Sequence, residues 1–592
     1  MESSNESNVI ILEGSWEVCN KVGGIYTVVS SKSYHMVEKH KRNFITVGPY
    51  FSDKAATEFV PQNPPDYIKT AIENLQSKGV ICQYGYWHIP SRPSCILIDF
   101  RKMLNNTNHI KGELWERFGI DSMNAGYDYD EPIAWAHCVG MLAQEIESCS
   151  KKKVILHAHE WLTGPAILYC KYNAPNIRSV FTTHATMLGR SISGSWSNLY
   201  DILETVDPVK AAYELGVAPK HLTERASAKN ADVFTTVSEV TGYEAKFLLE
   251  RAPDVILPNG LDFGNFPDTE QIPIQHKQFL AKIREFMMPY FFPYYSIDLE
   301  HSLLLYLSGR YEFSNKGIDI FIDALGRINN EMKSEETERT IVVFLFVPGD
   351  IQNIRYELLQ SKALFEDVQD EIMDYSRKIQ NSLITGFAER KSPDQVDIYD
   401  DAFLMKMKRA SVSFARQGQP PLSTHHITNE DQDAIFSALR RNGLLNREED
   451  KVKIVYYPGY LSASDGLLNL DYYPAVTGCH LGIFPSSYEP WGYTPLESAG
   501  YGVPAITTDL AGLGAYMLDN KIDQEGLWVL ERKGKSYDEN VNELKKMIDH
   551  YANLPHDKRL ETKQHAIRTS RKFDWKELIK FYDKAYEKAL NR

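Results

Sequence analysis

Cysteine is scarce in this chain: seven residues in 592, odd in number, scattered, and never spaced Cys-x-x-Cys. That pattern argues against a disulfide framework or a thiolate zinc site and favours reduced thiols. Positive charge is also in deficit, with 65 Lys and Arg against 79 Asp and Glu and a net charge of -14. Nucleic acids and anionic membranes are gripped by basic faces that release counterions, so neither is an expected partner. Long apolar runs are missing too: none nears the ~20 residues of a membrane-spanning helix. The polar stretch Met1 to Asn8 lacks the basic and apolar blocks of a signal peptide. The expected location is therefore cytoplasmic. Internal repeats and low-complexity blocks are absent as well. What is present, 43% hydrophobic and 12% aromatic residues, can bury more than one core, and at ~100–200 residues per domain the length calls for at least two large units.

Short apolar runs alternate with helical stretches at Val9 to Leu12, Phe44 to Val47, Cys95 to Ile98, Val154 to Leu156, Val180 to Thr183, Val233 to Val237 and Val255 to Leu257. They resume at Leu303 to Leu307, Ile341 to Val347, Lys453 to Tyr456, Leu481 to Phe484, Ala505 to Thr507 and Leu527 to Leu530. This is the pattern of parallel βαβ units, so the fold class is α/β. A proline-bearing segment reaching Pro273 reads as a hinge between a first domain, residues 1–265, and a second, residues 266–575. The second carries a charged, helix-rich insertion over about 351–446, and residues 576–592 form a terminal amphipathic helix. Within the insertion Phe365, Val368, Ile372, Tyr375 and Ile379 recur at three and four residues, a seam for a partner helix, in a second subunit or in a hairpin of this chain.

The chemistry concentrates at strand ends. After Leu481 to Phe484 comes Ser487-Tyr488-Glu489-Pro490-Trp491-Gly492-Tyr493-Thr494-Pro495-Leu496-Glu497, two carboxylates around a Pro/Gly turn. That turn offers the Gly492, Tyr493 and Thr494 amides just ahead of a helix, at the sheet edge where open α/β sheets bind ligands. A phosphorylated sugar suits it. After Leu303 to Leu307, Arg310 and Lys316 supply two cations. Near the amino terminus, Lys21 adjoins Gly23 and Gly24, which let backbone approach a ligand at a helix start. His184 stands at a strand end among small neighbours. His157 and His159 are set aside as metal ligands, on the ground that they leave their strand toward opposite faces with no third ligand nearby. Lys558, Arg559, Lys563, His565, Arg568, Arg571 and Lys572 make a basic run, either a solvated helix face or an anion-binding surface.

These segments together resemble the eukaryotic-type glycogen (starch) synthases that use UDP-glucose. The likeness runs from Trp16-Glu17-Val18 and Asn20-Lys21-Val22-Gly23-Gly24 through His159-Glu160-Trp161, Thr183-His184-Ala185-Thr186 with Arg190, and Pro258-Asn259-Gly260-Leu261. It continues through Gly309-Arg310-Tyr311-Glu312-Phe313-Ser314-Asn315-Lys316-Gly317 and Gly478-Cys479-His480 to the Glu489 turn. The resemblance implies two Rossmann-like domains facing a cleft (the GT-B architecture), the terminal helix returning to the first, and a retaining transfer of glucose to the 4-hydroxyl of a glucan end. It implies no metal and no cofactor beyond the donor, with Arg310 and Lys316 neutralising the leaving diphosphate. Glu489 would hold glucose hydroxyls, Glu497 the ribose and Tyr472 the uracil, while His184 and Arg190 would meet the donor on closure. Lys21, Gly23, Gly24, Glu160, Asn259, His480, Trp491, Gly492, Tyr493 and Thr494 complete the implied substrate contacts. Retention through a carboxylate nucleophile is disfavoured, because the identifiable carboxylates are committed to hydroxyls.

By the same resemblance, partners are a glycogen-type acceptor, glycogenin as primer in some members, and further copies of the chain in a tetramer. A sugar-phosphate effector would bind His276, Arg559, Lys563 and Arg568. Leu280 stands where the family has a lysine, so weak or altered activation by glucose 6-phosphate is expected. Short flanks around the core imply no regulation by tail phosphorylation. A related retaining transferase forming trehalose or sucrose, and a silent glycogen-binding scaffold, are the competing readings.

Overall fold

The computed structural model describes residues 8–195, 199–335, 339–395 and 398–592; the amino-terminal residues read above as a polar stretch lie, through residue 7, outside them. Among the described residues, seventeen strands are arranged in two large sheets and one ribbon. The first sheet holds β1 (Val9–Gly14), β2 (Phe44–Pro49), β3 (Phe59–Pro61), β4 (Ile81–Trp87), β5 (Ser94–Asp99), β6 (Lys153–His159), β7 (Arg178–Thr183), β8 (Val233–Thr236) and β9 (Val255–Ile256). Its order is β3-β4-β5-β2-β1-β6-β7-β8-β9. The second holds β10 (Leu303–Ser308), β11 (Ile341–Phe346), β14 (Val452–Tyr456), β15 (Leu481–Ile483), β16 (Ala505–Thr508) and β17 (Leu527–Leu530), in the order β14-β11-β10-β15-β16-β17. Both are parallel except at β3 and β4, which pair antiparallel on the edge of the first sheet. The sequence pattern does not show these two strands, because Gly85 and two tyrosines interrupt any apolar run there.

Among the parallel strands of each sheet the order reverses once: between β1 and β6 in the first, and between β10 and β15 in the second. Helices leave opposite faces on either side of such a switch point, opening a crevice beyond the strands' carboxyl ends.

The chain crosses between the lobes twice. It leaves the first near Leu261 and returns at Asp574, where the helix Trp575–Leu590 packs back on β6 to β9. The two crossings are bonded together: Leu261 N–H donates to the Phe573 carbonyl at 2.9 Å, and Trp575 N–H to the Leu261 carbonyl at 3.1 Å. Trp575 is buried, and its indole donates to Ser31 Oγ at 2.7 Å.

The insertion is a helical hairpin, Tyr356–Ala388 against Asp401–Phe414, above the ribbon of β12 (Ile351–Ile354) and β13 (His425–Ile427). Part of the seam closes within the chain: Tyr375 stacks on Phe403 with ring centroids 3.9 Å apart, and Phe365 lies 6.2 Å from Phe414, while Ile372 stays exposed. No helix among the described residues is long and apolar enough to cross a membrane.

Candidate active site

At the second switch point, β15 gives way to the Ser487–Trp491 turn and then to the helix Tyr493–Gly500. Gly492 caps that helix at φ +105, a backbone conformation other residues resist. The turn is pinned from behind: Gly512 N–H donates to the Glu489 carbonyl at 3.0 Å and Leu513 N–H to the Trp491 carbonyl at 2.8 Å. From β10, the segment through Lys316 folds over it. Gly317, at φ +69, leaves no room for a side chain, since a Cβ there would lie 2.1 Å from the Pro485 carbonyl. This close approach delivers the Lys316 ammonium onto the Glu489 carboxylate, forming an ion pair with both side chains largely covered. Ser308, Gly492, Thr494 and Thr507 line the pocket around that pair, and the Thr507 hydroxyl is buried without a partner. A pocket built of an ammonium, helix-start amides and hydroxyls can hold a phosphate, and a carboxylate beside it can take sugar hydroxyls.

Glu497 lies one helix turn beyond, bonded by the Tyr473 hydroxyl at 3.0 Å. Burial pushes its carboxyl up to about 7, against the pull of Tyr473 and of Lys21 from the first lobe. Tyr472 donates to or accepts from Ser308 Oγ at 2.8 Å, while its neighbour Tyr473 stacks on Tyr501 at 4.8 Å.

The first lobe faces this pocket with the loop after β7. Three buried glutamates hold that loop. Glu160, itself at φ +64, accepts the His184 and Ala185 amides at 2.8 and 3.1 Å. Glu224 accepts the Met187 amide at 2.8 Å, and Glu244 the Thr186 hydroxyl at 2.8 Å. Burial raises Glu160 and Glu244 to about 7. Arg190 stays solvent-accessible, and its neighbours Tyr488, Glu160, Glu312 and Glu489 raise its pKa against burial. Cross-lobe bonds close the ring: Ser193 Oγ to Asn315 Oδ1 at 2.7 Å, Tyr488 hydroxyl to Glu244 at 3.3 Å, and Ser238 Oγ to the Pro490 carbonyl at 2.7 Å. A wider opening between the lobes, walled by Tyr243, Lys246, Asp509, Lys533 and Phe581, contains none of the residues expected to act.

Several expectations change. Arg310 does not enter the Lys316 pocket: its guanidinium, 67% exposed, takes Glu312 at 3.0 Å. Trp491 turns into the core against Tyr516 and Phe573, so the turn contributes backbone there and not an indole. Asn259 is buried at the end of β9 with its Oδ1 unpartnered. Gly23 N–H and Tyr26 N–H both donate to Glu17 at 2.8 Å, so the chain's own carboxylate sits on the start of the helix Gly24–His40. Gly24 has nothing within 4 Å of where a Cβ would stand, so protein packing does not demand a glycine there.

His480 lies at the opposite edge of the second sheet, because it precedes β15 and does not follow it. It exchanges bonds with Leu304, N–H to carbonyl at 2.8 Å and Leu304 N–H to Nδ1 at 3.0 Å. Its ring meets His276 at 5.4 Å, and Lys563 and Arg559 both bear on it. Burial, with Arg559, lowers Lys563 to about 7; burial, with Lys563, lowers His276 to about 4. Arg568 does not join them. Nine residues past Arg559 on one helix, it faces the other way at 100° per residue, exposed and bonded to its own Gln564 carbonyl at 3.4 Å.

The ground for separating His157 from His159 also fails. Residues two apart on a strand share a face, and β6 runs through His159. Their rings lie 4.3 Å apart, with Glu13 of β1 as the third group: its Oε1 is 3.8 Å from His157 and 2.7 Å from His159. The cation in this cluster is the Lys32 ammonium, paired with Glu13 and wholly buried. Sequence reading missed Glu13, Lys32, Glu224, Glu244, Ser308 and Thr507. A carboxylate closing the apolar run Ile10-Ile11-Leu12 was a usable signal, since a buried charge needs a partner.

Comparison with known proteins gives a consistent result. A family model for glycogen synthase matches residues 13–592. The liver glycogen [starch] synthase of Rattus norvegicus is 34% identical over 589 residues, spanning 99% of this chain and 84% of that protein. Glycogen [starch] synthase isoform 2 of Saccharomyces cerevisiae is 33% identical over 617 residues, 100% of this chain and 87% of that one. Among solved structures, the catalytic domain of starch synthase IV from Arabidopsis thaliana, bound to ADP and acarbose, shares the fold with a TM-score of 0.51 at 13% identity, covering 99% of both chains.

Proposed function

Because the chain belongs to the glycogen synthase family, we propose that it carries glucose from UDP-glucose to the 4-hydroxyl at the non-reducing end of an α-1,4-glucan, with retention at the anomeric carbon and release of UDP. It is a glycosyltransferase of two Rossmann-like lobes, with a nucleotide-sugar donor and a glucan acceptor. The observation that carries the finer reading is the Lys316–Glu489 pair inside a pocket of amides and hydroxyls.

Cleaving the sugar–phosphate bond develops positive charge at the anomeric carbon and negative charge on the departing diphosphate. Lys316 and the Gly492 and Thr494 amides meet the second. Arg310 joins them by exchanging Glu312 for a phosphate oxygen, supplying charge that a divalent ion would otherwise bring; chelators should leave the rate unchanged. Glu489 orients glucose hydroxyls, Glu497 the ribose, and Tyr472 the uracil. Arg190 and His184 come from the facing lobe, so transfer depends on closure. The acceptor's proton goes to the departing phosphate on the same face, since Glu489 is bound to Lys316 and is not free to attack.

The reading extends to a cytoplasmic homo-oligomer, a tetramer. Its support is the insertion hairpin, which leaves Ile372, Met373, Ile384, Phe387 and Val412 exposed. A sugar phosphate would bind at His276, Arg559 and Lys563, weakly, since Leu280 brings no charge. The decisive experiment is transfer of labelled glucose to glycogen by wild type and Glu489→Gln, with UDP- and ADP-glucose in parallel. UDP-glucose-dependent incorporation that Glu489→Gln loses supports the reading; no incorporation by wild type overturns it.

A further inference from the structure

His184 sits on the loop that faces the cleft, 8% exposed, and its imidazole is tied from behind into a buried chain of polar groups that the transfer mechanism does not use. His184 Nε2 lies 2.9 Å from His159 Nδ1, and His159 Nε2 lies 2.7 Å from Glu13 Oε1. Glu13 is paired with Lys32, and all of Glu13, Lys32 and His157 are fully buried. His157 completes the cluster, with Nδ1 2.9 Å from the Tyr586 hydroxyl of the terminal helix and Nε2 2.7 Å from Thr182 Oγ1.

The protons in this chain can be assigned by elimination. An ammonium only donates and an ionised carboxylate only accepts. Burial works to raise Glu13, but Lys32 and His159 outweigh it and hold the carboxyl well below its usual range. Burial keeps His159 and His184 below the ordinary imidazole value, so each ring carries one proton. A ring facing an ionised carboxylate must put its proton there, so His159 is protonated on Nε2 and bare on Nδ1. A bare Nδ1 2.9 Å from His184 Nε2 makes a hydrogen bond only if that nitrogen carries the proton. His184 is then left bare on Nδ1.

We infer that Glu13 and His159 are positioning residues that fix His184 in the Nε2–H tautomer, so that its remaining ring nitrogen can only accept a hydrogen bond. An acceptor recognises a hydroxyl proton and repels a phosphate oxygen. His184 therefore reads a hydroxyl of the donor or acceptor sugar and leaves the diphosphate to Lys316. The catalytic consequence rests on the glucosyl-transfer reading; the tautomer does not.

Two measurements test this separately. In full-length protein with 15N-labelled histidine, long-range proton–nitrogen spectra at neutral pH report each ring's tautomer, and His159→Asn and His184→Asn variants assign the two resonances. The expected result is that both rings are neutral and protonated on Nε2. A His184 ring protonated on Nδ1, or on both nitrogens, overturns the inference whatever the enzyme's activity. The second measurement compares two replacements at position 159. In His159→Asn, Oδ1 stands where Nδ1 stood and still accepts from His184; in His159→Gln the amide reaches Glu13 and leaves His184 unsupported. Each loses one buried bond, so both should melt at similar temperatures. Glucose transfer should fall on the order of 10- to 100-fold in kcat for His159→Gln, with His159→Asn largely spared. Equal losses in the two, with the His184 resonance unchanged, would reduce His159 to a structural residue. Absence of transfer in wild type would instead remove the functional reading and leave the spectra standing.

Discussion

The two sheets share a topology and use its crevice in opposite ways. At the β1/β6 switch the chain fills the space with its own ions: Glu13 and Lys32 pair there with no exposed surface, and two histidines pack over them. At the β10/β15 switch Lys316 and Glu489 also pair, but with 16% and 24% of their side chains exposed and a pocket around them. One crevice is a closed ionic core; the other is a socket. The lesson is that topology fixes where a site can form, and that burial decides whether the charges found there hold the fold or wait for a ligand.

The largest expected effect tests the closed crevice. Lys32→Met strands a buried carboxylate, which costs about 3–5 kcal/mol, and denaturant unfolding of the first lobe should move to match. A shift under ~1 kcal/mol, the size of a surface pair, would erase the contrast. The mirror experiment comes next. Lys316→Met should leave unfolding almost unchanged but lower glucose transfer about 10²–10³-fold, the usual loss when one preorganised donor is removed from developing charge. If it destabilised as much as Lys32→Met, the second crevice would be a core as well.

A smaller effect concerns the carboxyls between the lobes. Glu244 is raised from 4.5 to about 7 by burial. A raised carboxyl binds its proton more tightly in the folded state, so its contribution is fully present below pH 4.5 and is lost as the pH climbs through 7. Thermal midpoints should therefore fall by a few degrees from pH 5 to pH 7.5, and Glu244→Gln should flatten that slope. Smallest of all is the response to glucose 6-phosphate at the opposite sheet edge: Lys563→Met should remove what weak activation exists, while Arg568→Ala should leave it untouched. A loss on Arg568→Ala would place that side chain back in the cluster.

Most of the architecture was legible because parallel strands buried on both faces must be continuous apolar runs, and the turns after them must carry whatever is polar. Glu489, Lys316 and His184 could be found that way, each at a strand's carboxyl end. What stayed hidden depends on distance along the chain. Nothing near His157 shows that Tyr586, 429 residues later, will bond its ring, or that Lys32 will reach Glu13. Direction was the other source of error: His480 lies before its strand and so at the wrong edge, and Arg568 lies on the far side of its helix. Trp491 sits in a site motif, yet its indole is spent on packing.

The paired crossings at Leu261 and Phe573 bear on how the molecule moves. One flexible connection would let the lobes twist and swing in any direction. Two, bonded side by side, would act like the knuckles of a door, favouring rotation about one axis over any twist that pulls those backbone bonds apart. The rims of the cleft, far from that axis, would then sweep the longest arcs, and each return would bring the same residues face to face.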